Sequence, residues 1–188
     1  MKTIPCLALF AALLASAFAE KIDLGAGKAL HLNLPAGWVA TEIPANSGEL
    51  PAVGTSRRYA TGNGSNDALF ITLLPVTDDG FQNPDNLKAM AEMATQQLAG
   101  GSVEGRAEAR EIKIAGVTGF AVTFTDASLV GKPTVKDDYK VVTSCFAYLG
   151  ARVLLTASVF TDDLDGKAYA EALRLLKSAT LSLPNDAI

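Results

Sequence analysis

His31 and Cys145 are the residues whose types could most directly form a nucleophile and its base. His31 is the chain's one histidine, and of its two cysteines Cys6 lies near the start and Cys145 far into the chain. A thiol–imidazole pair needs a third group to orient the base and an open cleft to admit substrate. A serine triad would have to use the same His31, and no Gly-x-Ser-x-Gly elbow is present to present its nucleophile. Cys145 sits in the apolar run Tyr139–Leu149, where a thiol reads as a small core side chain. A reactive thiol needs exposure and positive neighbours, which that run lacks.

One histidine and one cysteine cannot build a zinc site of His and Cys ligands. The carboxylates cluster at Asp78-Asp79, Asp137-Asp138 and Asp162-Asp163-x-Asp165-Gly166. The last cluster has the outline of a calcium loop. However, Thr161 takes the first ligand position and Ala172 the twelfth, where a bidentate glutamate is required. Capping of a following helix by Asp163 or Asp165 accounts for the same carboxylates. Gly25-Ala26-Gly27 lacks the further glycine and the helix start of a phosphate loop. No cofactor and no metal are expected, and no acid pair stands out for glycoside cleavage.

Residues suited to binding are easier to name. Trp38 follows a turn, and the loop from Glu42 to Ser56 carries Leu50 among prolines. Arg57, Arg58 and Tyr59 come next, and arginine and tyrosine are enriched in interfaces. Trp38, Leu50, Arg57, Arg58 and Tyr59 are therefore the candidate binding surface. The competing reading puts Trp38 in the core and makes Arg57 and Arg58 a charged strand edge.

The elements that must position these residues follow from periodicity. Leu30, Leu32 and Leu34 alternate with His31 and Asn33, the period of a half-buried strand. A short strand is expected before them at Ile22–Leu24. Trp38–Ile43, Arg57–Thr61 and Ala68–Val76 read as three more strands, the last two joined through Asn63-Gly64, a hairpin signal. Asn83-Pro84 opens a helix, with Asn83 as cap and Pro84 in the first turn. Leu87, Met90, Ala91, Ala94 and Leu98 share one face of it, and Gly100-Gly101 ends it. Strands follow at Arg106–Ile114, Val117–Thr125, Tyr139–Leu149 and Arg152–Phe160. A last helix starts near Asp162–Asp165 and buries Tyr169, Leu173 and Leu176; a short tail closes at Leu181–Pro184.

Successive strands with tight turns pair antiparallel, and two one-sided helices must each cover sheet. The expected class is α+β: an α/β/α sandwich with a central antiparallel sheet and two main helices. Residues 1–19 read as a cleavable signal peptide: Lys2, an apolar run through Phe18, then Ala17-Phe18-Ala19 and a switch to Glu20-Lys21. The run is shorter than a bilayer span, and no later segment reaches that length uninterrupted. Residues 20–188 form one domain, periplasmic or secreted, with no integral membrane segment after cleavage. Cys6 precedes the apolar core and leaves with the leader. Cys145 is then alone, so no internal disulfide holds the fold. The net charge of −4 offers no basic stripe for nucleic acid.

The order of elements resembles a family. Leu32-x-Leu34-Pro35-x-Gly37-Trp38 looks like the opening of PsbP-like domains, and Ile114-Ala115-Gly116-Val117-Thr118-Gly119 is similar to their central hairpin. Two long strands and a helix closing on Leu176-Lys177-Ser178 match the ending. The resemblance is to the PsbP-like and Mog-type superfamily, in its exported bacterial branch. It implies the same α/β/α sandwich. It also implies a non-catalytic role, binding or stabilising another protein or an envelope component. Two alternatives stand beside it: a small hydrolase using carboxylates or Cys145 with His31, and a carrier of a small apolar ligand, which requires a closed pocket between sheet and helix.

Overall fold

The structure is a computed structural model that describes residues 18–42, 54–62, 65–77, 79–133, 135–136 and 138–184. The strands, in chain order, are β1 (Phe18–Gly25), β2 (Lys28–Leu34), β3 (Trp38–Glu42), β4 (Thr55–Thr61) and β5 (Ala68–Pro75). A single 3-10 turn at Gly80–Gln82 leads into helix α1 (Pro84–Ala99). Then come β6 (Arg110–Ile114), β7 (Val117–Thr125), β8 (Val141–Tyr148), β9 (Val153–Thr161), helix α2 (Lys167–Ser178) and β10 (Thr180–Ser182). Seven strands make one antiparallel sheet in the order β3-β4-β5-β9-β8-β7-β6, and β1-β2-β10 make a second, smaller one.

Alternation along the strands builds two separate cores. Tyr59, Leu69, Ile71, Leu155, Ala157, Val159, Cys145 and Ala121 line one face of the large sheet. Against them pack Ala172, Leu175 and Leu176 of α2, and Ile22, Leu30, Leu32 and Leu34 of the small sheet. Phe120, Val122, Phe124 and Phe146 line the other face and meet Leu87, Ala91 and Ala99 of α1. One helix on each face completes the expected α/β/α arrangement of an α+β fold.

Helix α1 starts as its sequence dictates: the Asn83 side chain accepts from the Asp85 N–H at 2.9 Å, and Pro84 occupies the first turn. Its buried stripe is Leu87, Ala91, Thr95 and Ala99, so Ala94 and Leu98 of the expected face are exposed. Thr95 can sit in that stripe because its hydroxyl donates back to the Ala91 carbonyl at 2.8 Å. The small residues let the helix lie close over Phe120 and Phe124.

Several expectations needed correction. The last helix begins at Lys167 with Gly166 as its cap residue and no side-chain capping bond. Asp163 instead accepts from the Asp165 N–H (2.9 Å), and its carbonyl accepts from the Gly166 N–H (3.2 Å), closing a turn before the helix. In α2 the buried positions are Ala172, Leu175 and Leu176, while Tyr169 and Leu173 are half-buried. The tail at Leu181 is a strand: β10 pairs with β2, Leu181 opposite Leu30. β1 is longer than expected, running from Phe18 opposite Leu34. The strand expected from Arg106 starts at Arg110, because Glu92 of α1 takes the Ala109 N–H at 3.1 Å and ends the ladder there.

Candidate functional site

Helix α1 makes its sheet contacts mainly with β7 and β8. The same sheet face continues across β9, β5, β4 and β3, where the described elements leave it half-open. Cross-strand register shows what that face presents. One row runs Val39, Ala60, Ala68, Phe160 and Val142. The next runs Arg58, Phe70, Ser158 and Ser144. A third runs Ser56, Thr72, Thr156 and Phe146. Each row starts in the open half and ends under or beside α1.

Within the open half, aromatic and cationic groups meet. The Arg58 guanidinium lies 5.7 Å from the centre of the Phe70 ring, a distance at which the ring quadrupole attracts a cation. Phe70 meets Phe160 edge-on, ring centres 5.4 Å apart, and Tyr139 packs on Phe160 at 4.8 Å. All four side chains are half-buried and Val39 is 55% exposed, so each keeps part of its surface at solvent. Ser56 and Thr72 hydroxyls bond each other at 2.9 Å and extend it with polar surface.

Tyr139 is held in place by the acidic loops. The Asn66 amide donates to the Val135 and Asp138 carbonyls (2.7 and 2.8 Å) and to Asp162 (3.2 Å). Asp162 also accepts from the Lys140 N–H at 3.1 Å, and Asp67 accepts from Thr161 at 2.6 Å. These bonds fasten the segment before β8 onto the sheet end, beside Phe160. The Asp162 carboxylate is therefore occupied as a fastener, and that of Asp163 by the Asp165 N–H. Asp78 and Asp137 lie outside the described residues. Among the described residues no group of three or more His, Cys, Asp or Glu is placed to hold a metal ion.

The five residues singled out by sequence do not form one surface. Arg58 lies on the open face. Trp38, Tyr59 and Arg57 are on the opposite face, as their alternation with Arg58 requires. Trp38 is 8% exposed, and its indole N–H donates to Glu171 of α2 at 3.0 Å, tying β3 to the helix. Lys167 and Arg174 flank the same Glu171 carboxylate at 3.6 and 3.8 Å. Arg57 reaches Glu20 of β1 at 4.0 Å and bridges the two sheets. Tyr59 is fully buried, and among the described residues its hydroxyl has no hydrogen-bond partner. Burial first, and then the negative charge of Glu20, push that phenol well above its ordinary range, with Arg57 opposing. Leu50 lies outside the described residues.

His31 and Cys145 are not brought together. His31 projects from β2 on the side opposite Leu30 and Leu32, and its Nε2 lies 3.0 Å from the Ser182 hydroxyl. Cys145 is fully buried in the core those leucines enter, and burial pushes its thiol up to about 12. A thiolate nucleophile is disfavoured there. The space between sheet and α2 is filled by side chains of the same core.

Phe70, Phe160 and Tyr139 were missed by sequence reasoning. The signal was available in part: by strand alternation Phe70 and Phe160 share a face with Arg58, Thr72, Thr156 and Ser158. What periodicity alone leaves open is which half of that face a helix covers.

A central antiparallel sheet with a helix on each face and a small accessory sheet is a fold similar to that of solved PsbP. The solved cyanobacterial PsbP (CyanoP) from Synechocystis superposes with a TM-score of 0.52 at 12% identity, covering 92% of this chain and 95% of that one. The Ran-binding protein Mog1p from Saccharomyces cerevisiae aligns with a TM-score of 0.47 at 16% identity, over 87% of this chain and 95% of that one. No family model matches the sequence, and no curated protein matches it. At such identities the likeness concerns the fold, and function has to be argued from the surface.

Proposed function

We propose that this chain is an exported, non-catalytic binding domain that holds or stabilises another protein or an envelope component. The observation that carries this reading is the half-open sheet face of Arg58, Phe70, Phe160 and Tyr139. An aromatic cluster with a cation over it is the composition of a binding hot spot. A domain with no such role has every reason to bury those rings, as it buries Phe120 and Phe124 beneath α1. Structural likeness to PsbP supports a role of this kind by analogy alone.

The leader read at residues 1–19 supports export of the domain to the periplasm or outside the cell. Cleavage after Ala19 leaves a chain whose first residue, Glu20, is still in register with Leu32, so processing is compatible with β1. No helix among the described residues is long and apolar enough to cross a membrane.

The test compares wild-type protein with Arg58→Glu and Phe160→Ala in capture from an envelope extract. The reading expects a partner retained by wild type and lost by both variants with the fold intact by circular dichroism. Equal capture by all three proteins would remove this face from consideration. Mass spectrometry of the exported product checks the leader: the reading requires an N-terminus at Glu20.

A further inference from the structure

A second feature lies at the opposite end of the sheet, where the β1–β2 and β8–β9 turns meet. Three tight hairpins place residues in the left-handed region. The β1–β2 turn does so at Gly25, Ala26 and Gly27 (φ 76°, 50° and 75°), and the β6–β7 turn at Ala115 and Gly116 (49° and 79°). Both end on glycine, which takes this conformation without a Cβ clash. The β8–β9 turn runs Gly150, Ala151 and Arg152 (81°, 49° and 59°) and ends on an arginine. An L-residue there is strained by contact of its Cβ with the following carbonyl.

The strained turn is held from several sides. The Val76 N–H donates to the Arg152 carbonyl at 3.0 Å, and the Arg152 N–H donates to the Tyr148 hydroxyl at 3.2 Å. Tyr148 in turn donates to Asp79. Lys28, first residue after the β1–β2 turn, donates to the Ala151 carbonyl at 3.0 Å. These bonds fix the backbone of Arg152 and leave its exposed guanidinium with no hydrogen-bond or ion-pair partner among the described residues.

Arg152 and Lys28 border a cleft of about 510 Å³ whose floor includes Leu24, Leu74, Pro75 and Val76. Among the described residues no carboxylate lines it, in a chain whose net charge is −4. Two cations without an acid, above an apolar floor, complement an oxyanion carried on a short apolar body. Strained backbone that persists under many restraints is a feature of functional positions. We infer that this cleft binds a small soluble amphiphile, with its phosphate or carboxylate head between Lys28 and Arg152 and its apolar chain on Leu24 and Leu74. Glycine at 152 would relieve the turn but supply no charge. This site is separate from the aromatic face and does not depend on it.

The experiment titrates hexyl phosphate and hexanoate into the full chain, with hexanol as the headless control, following the backbone amides of Lys28 and Arg152 and the Arg152 side-chain Nε by NMR. The expected result is saturable shifts at these groups with Kd on the order of 1 mM or tighter, weakened by added salt. Arg152→Gly is expected to hold or raise the melting temperature while losing at least about tenfold in affinity, which is about 1.4 kcal/mol. Lys28→Met, which spares the turn backbone, should weaken binding in the same direction. Hexanol binding as well as hexyl phosphate, unchanged affinity in Arg152→Gly, or binding seen only to vesicles bearing phosphate headgroups would each overturn the proposal.

Discussion

The two faces of the large sheet are finished differently. One is sealed along its length by α2 and the small sheet, and it carries Leu69, Ile71, Leu155, Val159 and Cys145. The other is covered mainly over β7 and β8, and its remaining half carries Arg58, Phe70, Phe160 and a row of hydroxyls. The strands are the same on both sides, so the difference lies in what was laid over them. Where a layer excludes water, aliphatic side chains fill the space. Where none of the described elements does, aromatic rings stand beside hydroxyls and the long-stemmed Arg58.

Substitutions can break this contrast. The largest effect is expected on the sealed side. Leu155→Ala should cost about 3 kcal/mol in urea unfolding, because a fully buried leucine leaves a cavity. Phe70→Ala should cost only about 1.5 kcal/mol, as its ring is half-exposed before the change. Equal losses would mean that the second half-face is sealed as well.

Alkaline pH probes the sealed side through Cys145. Its thiol is held up to about 12 in the folded chain, against about 8.5 when unfolded. Between these values the unfolded chain gives up a proton that the folded chain keeps, so stability falls as pH rises. The slope contributed by this group reaches about 1.4 kcal/mol per pH unit. Cys145→Ala should remove that slope between about pH 8.5 and 10, below the range where free tyrosine titrates. A slope unchanged by the substitution would place its origin elsewhere.

Tyr59 sharpens the same comparison with the opposite sign. Its buried hydroxyl is desolvated without a partner among the described residues, so Tyr59→Phe should stabilise the fold by about 1 kcal/mol. A loss of that size would instead show that the hydroxyl is bonded. The smallest effect belongs to the open side: Arg58→Ala should cost about 0.5 kcal/mol through the lost cation–ring contact. Its consequence is expected in partner capture.

Local rules read correctly wherever they were self-contained. Asn83-Pro84 starts a helix because both residues satisfy backbone needs within one turn. Phe120, Val122 and Phe124 share a face because a strand has period two. His31 falls on the side of β2 away from Leu30 and Leu32 for the same reason. Among the binding candidates, that alternation already separates Arg58 from Arg57 and Tyr59. Treating the three as one surface set the period aside.

The sequence by itself determined the α+β class, the alternation that assigns each strand residue to a face, and the cap of α1. Those properties depend on neighbours a few residues apart. The pairing of β10 with β2, the insertion of β9 between β5 and β8, and the extent of α1's cover were decided by tertiary structure. They bring together residues as far apart as His31 and Thr180, whose contact is rewarded only once the intervening layers have packed. The half-buried ring of Phe70 and the strained Arg152 take their meaning from that packing, since each is defined by what the other described elements leave uncovered or hold fast.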